Sequence, residues 1–244
     1  MSLTQNESDP VSLTYVVPDL HGRLDLLDEA LLRISAHAAG QPGTIIMLGD
    51  YVDKGPDSAA VVDRLLSGLA DDLAPDLADG WRLVALKGNH DAMMVAALRD
   101  PAKMASWIEK GGDAALKSYG GDPAAVPQAH IEWLDRRPLL HLDRYRLYVH
   151  AGVEAGIALD RQTERTLLNK RYKPGDPRGF DGLHVVHGHD NFPEGPLLYP
   201  GRSNLDTQAW QTGRLVIGIF DDAKQGGPLA LIEIQGAPAE INET

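Results

Sequence analysis

The spacing of apolar residues along the chain switches repeatedly between strand-like and helix-like. Residues 14–17 are a short β-branched and aromatic run closed by Pro18. Over residues 23–37 the apolar positions Leu24, Leu27, Leu31 and Ile34, with Ala38 just beyond, recur at helical spacing, and Gly40 and Pro42 end the pattern. Residues 44–48 form a continuous apolar run, as expected for a buried strand. Asp57 or Ser58 can cap the next helix, which carries Val61, Val62, Leu65, Leu66 and Leu69. A further strand is predicted over 82–86 and a further helix over 91–98. This β-α-β-α-β-α alternation argues for parallel strands joined by helical crossovers.

The second part of the chain changes character. Residues 101–110 read as helical with Asp100 as cap, Gly111-Gly112 and Gly120-Gly121 break the chain, and 128–137 predict a short helix ended by Pro138. Residues of about 100–140 therefore read as a mainly helical insertion. Strands are expected over 144–149, 183–186, 214–220 and 229–234, whereas 151–182 and 190–203 are rich in Gly, Pro and charge and read as loops. One domain over about 14–220, extended by a C-terminal strand to about 236, accounts for the pattern, with flexible ends at 1–13 and 237–244.

Composition narrows the function. At 43% hydrophobic and 24% charged over 244 residues, the chain has ordinary globular make-up and can bury a large core. A formal net charge of −12 with no run of Lys or Arg argues against nucleic acid or anionic lipid as partner. The lack of cysteine excludes disulfides, thiolate metal ligation and cysteine nucleophiles. The polar start of the chain lacks the apolar stretch of a signal peptide, and no apolar run approaches a membrane span. The expectation is a soluble, cytoplasmic protein with no membrane partner and an open oligomeric state.

Candidate chemistry sits at the strand ends. Five patches follow predicted strands and carry hard donors: Asp19 and His21 in P-D-L-H-G, Asp50 in G-D-Y-V-D-K-G, Asn89 in G-N-H-D, His150 in V-H-A-G and His189 in H-G-H-D. Each alone reads as an ordinary turn; together and in this order they read as one dinuclear metal centre. Such donors suit Mn, Fe, Zn or Mg rather than soft metals. Asp19 and His21, two residues apart, fall on one side of an extended strand and can chelate one ion. Asp50 can bridge two ions, and Asn89, His150 and His189 can complete the second. Two ions about 3.5–4 Å apart can activate water and clamp a phosphoryl group. His90, beside Asn89 but free to point elsewhere, is the candidate general acid, with Asp53 as its orienting partner. Lys54, Lys87 and Arg171 are candidates for holding phosphoryl oxygens. His187 reads as a support behind the metal ligands, and His37, His130, His141 and His184 as surface or core residues.

The set Asp19-Leu20-His21-Gly22, Gly49-Asp50-Tyr51-Val52-Asp53-Lys54-Gly55, Gly88-Asn89-His90-Asp91, His150-Ala151-Gly152 and His187-Gly188-His189 resembles the motifs of the phosphoprotein phosphatase family of calcineurin-like metallophosphoesterases. Its small bacterial and phage members, Ser/Thr protein phosphatases and symmetrical diadenosine tetraphosphatases, are the most similar. The resemblance runs from about Thr14 to Phe220 and takes in Trp107, Gly111-Gly112, Ser118-Tyr119-Gly120 and Asn204-Leu205-Asp206-Thr207. It implies an α/β (α+β) fold, a β-sandwich of two mixed sheets flanked by helices, with the dimetal site at strand ends. It implies one ion on Asp19, His21 and Asp50 and another on Asp50, Asn89, His150 and His189, with manganese expected first and iron or zinc as alternatives. It also implies His90 as acid, Asp53 as its partner, and Arg171 and Asn89 among the phosphate contacts.

The chain departs from the family pattern around the substrate. Lys54 and Lys87 replace arginines, Pro18 a glycine, Asn169 a tryptophan, Asp190-Asn191 a Thr-Pro pair, and Gln208 the glycine of D-T-G-A. Lysine keeps the charge but loses the bidentate fork. The activity implied is metal-dependent phosphate ester hydrolysis, in which metal-activated hydroxide attacks phosphorus and His90 protonates the leaving oxygen. Phosphoserine or phosphothreonine protein is the first substrate expected, and a dinucleoside polyphosphate the second. A non-catalytic protein that holds a phosphorylated ligand is the rival of another class; the presence of both His90 and Asp53 argues against it.

Overall fold

The computed structural model describes residues 12–68, 80–173 and 175–239. The strands β1 (Leu13–Val17), β2 (Thr44–Met47) and β3 (Arg82–Ala85) alternate with the helices α1 (Leu24–Ala38), α2 (Ser58–Leu66) and α3 (Asn89–Arg99). The three strands pair in parallel. On the far side of β1, the antiparallel strands β9 (Arg214–Asp221) and β10 (Ala230–Gln235) complete a mixed sheet of order β10-β9-β1-β2-β3. A second mixed sheet has the order β4-β5-β6-β8-β7, built from β4 (Leu140–Leu142), β5 (Arg146–Val149), β6 (His184–His187), β7 (Leu197–Leu198) and β8 (Arg202–Asn204). Its inner strands β5, β6 and β8 are parallel and its edges antiparallel.

The apolar runs follow from burial on both faces. Side chains alternate across a strand. Val16 and Ile46 point one way and pack with Leu48, Leu86, Tyr148, Val186, Leu205 and Phe220 between the two sheets. Tyr15, Val17, Ile45 and Met47 point the other way, under Leu27 and Ile34 of α1 and Val61 and Leu65 of α2. Strands covered this way have no polar face to alternate with, so they appear in sequence as continuous hydrophobic runs. Truncating one of them, for example Ile46→Ala, costs about 2–5 kcal/mol.

Several expectations change on folding. The helix expected from 91 starts earlier, so Asn89 and His90 occupy the first turn of α3 rather than the end of β3. Neither Asp57 nor Ser58 caps α2 through its side chain; the Ser58 hydroxyl accepts from the Asp53 amide at 3.1 Å instead. Leu69 lies outside the described residues. Gly111 breaks the helix with a kink, as expected, and a further helix follows. The chain runs through α4 (Met104–Trp107), a wide π-type turn (Ile108–Gly112) and α5 (Asp113–Ser118), with Gly111 at φ 101°. Asp100 caps only the short 3-10 turn Pro101–Lys103, accepting from the Ala102 amide at 3.1 Å. The helix α6 (Gln128–Asp135) closes the insertion.

The segments read as loops hold α7 (Glu164–Asn169), β7 and β8. The last was hidden because Arg202, Ser203 and Asn204 are polar, yet all three are buried. Arg202 donates to the Asp176 carbonyl at 2.6 Å, and the Ser203 hydroxyl meets His184 at 2.8 Å, so the buried polar groups are satisfied. Of the ends expected to be flexible, residues 1–11 and 240–244 lie outside the described residues. Leu13 begins β1, and the Ala239 amide donates to the Gln211 carbonyl. Among the described residues no helix is long and apolar enough to cross a membrane.

Candidate metal centre

Parallel pairing sends strand ends to a common edge, and there the polar motifs meet. Asp19 and His21 follow β1, Asp50 follows β2, Asn89 and His90 follow β3, His150 follows β5 and His189 follows β6. They line one cavity of about 380 Å³, apart from His150, which lies fully buried behind it.

Asp50 is the hinge of the arrangement. Its Oδ2 lies 3.4 Å from His21 Nε2 and its Oδ1 3.6 Å from His150 Nε2, so the carboxylate divides between two imidazoles. The His90 amide donates to Oδ1 at 2.8 Å and fixes the rotation. Two clusters of ligand atoms share this residue: His21, Asp50 and His90, and Asp50, His150 and His189, with the atoms of each cluster within 4.8 Å of one another. Asp19 stands outside both groups but lines the same cavity, its carboxylate accepting from the His189 amide at 3.2 Å.

Hydrogen bonds behind the imidazoles set which nitrogen faces inward. His21 Nδ1 lies 2.9 Å from the Val52 carbonyl, and His150 Nδ1 lies 3.0 Å from that of Leu48. A carbonyl accepts only from N–H, so Nδ1 carries the proton and Nε2 offers a lone pair. His150 Nε2 then faces Asn89 Oδ1 at 2.9 Å, and His189 Nδ1 approaches the same oxygen at 3.0 Å. Donors converging in this way suit a cation between them. Burial holds the imidazole of His21 well below its ordinary pKa and that of His189 down at about 3, which keeps both neutral, as ligation requires. Burial also raises the Asp19 carboxyl, helped by the charges of Asp206 and Asp50. Burial works in the same direction on Asp50, but His150, His90 and His21 outweigh it and hold that carboxyl below its usual range. Crowded buried carboxylates and neutral imidazoles form a donor set that fits two hard divalent ions.

The backbone is shaped for this. Among the described residues eight non-glycine residues have positive φ, and five of them, His21, Asp50, Asp53, Lys54 and His189, belong to the site. Such conformations are costly and persist where the surroundings enforce them. The motif glycines give room: a Cβ on Gly88 would come within 2.1 Å of Asp50 Oδ1, and one on Gly188 within 2.1 Å of Asp19 Oδ1.

His90 points its Nδ1 at Asp53 Oδ2, 2.7 Å away. This leaves Nε2 for the cavity, which His90 also lines. Asp53 is held in turn by Trp107, whose Nε1 donates to both carboxylate oxygens at 2.9 and 3.0 Å. Trp107 comes from the helical insertion, so that insertion reaches the His90–Asp53 pair directly. Gly112 permits it, since a Cβ there would lie 2.4 Å from the Trp107 ring.

The cationic candidates part company. Lys54 Nζ sits 2.9 Å from His21 Nε2, inside the site. Arg171 lines the cavity and pairs with Asp190 at 3.0 Å, so the carboxylate replacing the usual threonine is turned to an arginine. Lys87 is not among the lining residues; its ammonium lies 3.5 Å from Asp135. His187 also faces away, its Nε2 accepting from Arg202 at 3.0 Å and its Nδ1 2.9 Å from the Gly188 carbonyl.

The sequence reading assigned no role to Trp107, Asp91, Asp206 or Lys110. Asp91 is fully buried and accepts from the amides of Gly88, Asp50 and Tyr51, pinning two of the ligand loops together. Asp206 follows β8, is buried, and is raised to about 6 by burial. Lys110 lines the cavity from the π-type turn. The available signal was position: Asp91, Trp107 and Asp206 lie within the recognised motif set, and Asp91 directly follows His90.

Carboxylate, imidazole and amide donors thus gather at the strand ends of two sheets, around buried histidines. The chain belongs to the calcineurin-like phosphoesterases, whose family profile matches residues 13–217. Among curated relatives, a symmetrical bis(5'-nucleosyl)-tetraphosphatase of Burkholderia pseudomallei is 30% identical over 191 residues, 75% of this chain and 58% of that protein. Its counterpart from Bordetella pertussis is 37% identical over 134 residues, 51% of this chain and 40% of that protein. The chain thus spans about half the length of the curated relatives it matches. A solved structure provisionally assigned as a diadenosine tetraphosphatase superposes with a TM-score of 0.62 at 22% identity, covering 94% of this chain and 96% of that one. A protein serine/threonine phosphatase from Saccharomyces cerevisiae gives 0.55 at 14% identity, covering 97% and 84%. At these identities the solved structures speak for the fold alone.

Proposed function

We propose that the protein hydrolyses phosphoric anhydrides or esters with two divalent ions, and that its substrate is a dinucleoside polyphosphate such as diadenosine tetraphosphate. The observation that carries the reading is the divided Asp50 carboxylate, with His21 on one oxygen and His150 on the other. Asp19, His21 and Asp50 would hold one ion; Asp50, Asn89, His150 and His189 the other. Manganese is the first candidate, with iron or zinc as alternatives for such donors. When bound, the pair supplies Lewis acidity for the phosphoryl oxygens and a lowered pKa for water.

The chain's own residues supply the rest. His90, with Nδ1 held by Asp53, keeps Nε2 aimed into the cavity as proton donor to the leaving oxygen. Trp107 restrains Asp53 so that the imidazole keeps its direction. Lys54, Arg171 and the Asn89 amide face the place of the phosphoryl group and would offset its charge.

The identity of the curated relatives supports a nucleotide substrate. The phosphoserine or phosphothreonine reading rests on the motif resemblance and uses the same chemistry. A purely binding role has no use for the Trp107–Asp53–His90 chain.

The test is hydrolysis of p-nitrophenyl phosphate by chelator-treated protein, without and with Mn²⁺, followed by diadenosine tetraphosphate against a phosphoserine peptide. Activity restored by metal, with the tetraphosphate preferred, supports the proposal. Preference for the peptide sinks the nucleotide assignment. No turnover of any of the three with Mn²⁺, Fe²⁺ or Zn²⁺ sinks the enzyme reading.

A further inference from the structure

The cavity of the metal centre does not end at Arg171. A second cavity of about 400 Å³ begins there, and Arg171 lines both. The second is cationic: Lys170, Arg171, Lys173 and Arg178 stand against two carboxylates, Glu154 and Asp176. In a chain of net charge −12 this is a local reversal of sign. Lys170 is paired with Glu154 at 3.0 Å and Arg178 with Asp176 at 2.6 Å. Lys173 is exposed and has no ion pair among the described residues. Val153 and Phe180, both buried, give the cavity an apolar floor.

One wall is fixed in advance. Tyr172 packs where a Cβ on Gly152 would be, 2.6 Å from its ring. Its hydroxyl accepts from the Val153 amide at 3.3 Å, and the Arg202 guanidinium lies 4.5 Å from the ring centroid. An apolar floor, a held aromatic wall and a surplus of positive charge suit a flat base joined to phosphate.

We propose that this second cavity is a nucleotide subsite. It would receive the nucleoside and adjoining phosphate of a substrate whose scissile phosphorus lies at the metal centre, with Arg171 between the two. The proposal rests on the hydrolase reading above and names the chemistry recognised beyond the scissile group: a nucleoside phosphate, rather than an acidic phosphopeptide.

The experiment uses the metal-loaded full chain and measures inhibition of p-nitrophenyl phosphate hydrolysis by ADP and by inorganic phosphate. Lys173→Glu reverses the unpaired charge, and Ala155→Trp places a ring in the cavity from an exposed position. In both variants the ratio of the ADP to the phosphate inhibition constant should rise about tenfold, which is about 1.4 kcal/mol. A ratio unchanged in both variants overturns the subsite. So does a variant effect on an acidic phosphoserine peptide that exceeds the effect on ADP, which would make the cavity a peptide site. Failure of the wild type to hydrolyse p-nitrophenyl phosphate, diadenosine tetraphosphate or the peptide with any of the metals overturns the hydrolase reading and the subsite with it. Turnover with an unchanged ratio overturns the subsite alone.

Discussion

The wall of the cavity that faces the metal site and the rim that faces the substrate are built differently. On the wall, Asp19, His21 and Asp50, with His150 just behind them, are almost wholly buried and held by specific partners. On the rim, Lys110 and Asn169 belong to a surface-exposed turn and a helix end, and the Arg171 side chain is 62% exposed. The wall is assembled from strand ends whose positions are set by the two sheets. The rim comes from the insertion and from the segment after β5, where replacement disturbs no core. The candidate ligand set is whole, and of the departures from the family pattern Asn169 and Asn191 line the exposed rim, whereas Pro18 is buried and Lys54 meets His21 inside the site. Chemistry requires atoms placed to a fraction of an ångström; selectivity can be retuned by changing exposed side chains.

The largest effect should come from the wall. Asp50→Asn removes the charge shared by both clusters, and turnover should fall about a thousandfold, about 4 kcal/mol of barrier. Calorimetric titration should show the second Mn²⁺ lost; an unchanged stoichiometry of two would break the bridging assignment.

Next comes the proton donor. His90→Asn should lower kcat on an alkyl phosphate about a hundredfold while metal still binds. A wild-type rate on the alkyl ester would show that the acid is another group.

Trp107→Phe tests whether the insertion reaches the chemistry. Deleting a hydrogen bond to a buried carboxylate is worth about 1.5–3 kcal/mol, so a loss of about tenfold in kcat is expected. If Trp107 acts by positioning His90, the loss should be larger for alkyl than for aryl esters, since aryl leaving groups need little protonation. Equal losses on both would reduce it to a packing residue.

The smallest effect should be at Lys87. The sequence reading placed it at the phosphate, whereas its ammonium faces Asp135. Lys87→Ala should change KM by less than about twofold and stability by about 0–1 kcal/mol. A large rise in KM would return Lys87 to the substrate.

The candidate centre was legible because its donors are punctuated by strands. A buried parallel strand must be an apolar run, and the residue after it must leave the sheet at the shared edge. Hence V-V-P-D-L-H and I-I-M-L-G-D can be read as strand followed by ligand. The polar strand β8 was not legible, because Arg202 and Ser203 are made compatible with burial only by Asp176 and His184 from distant segments. The break at Gly111 was legible; what was not is that Gly111 and Gly112 there leave room for Lys54 and Trp107.

The sequence by itself determined the alternating strands and helices of the first hundred residues, the family, and the donor types available for two ions, since local periodicity and motif chemistry are properties of neighbouring residues. Tertiary structure decided which nitrogen of each imidazole faces inward and which lysine enters the site. Those depend on contacts between residues far apart in sequence, such as His150 with Leu48 and Trp107 with Asp53. Packing the two sheets face to face, and the insertion against the first, brings such groups within bonding distance.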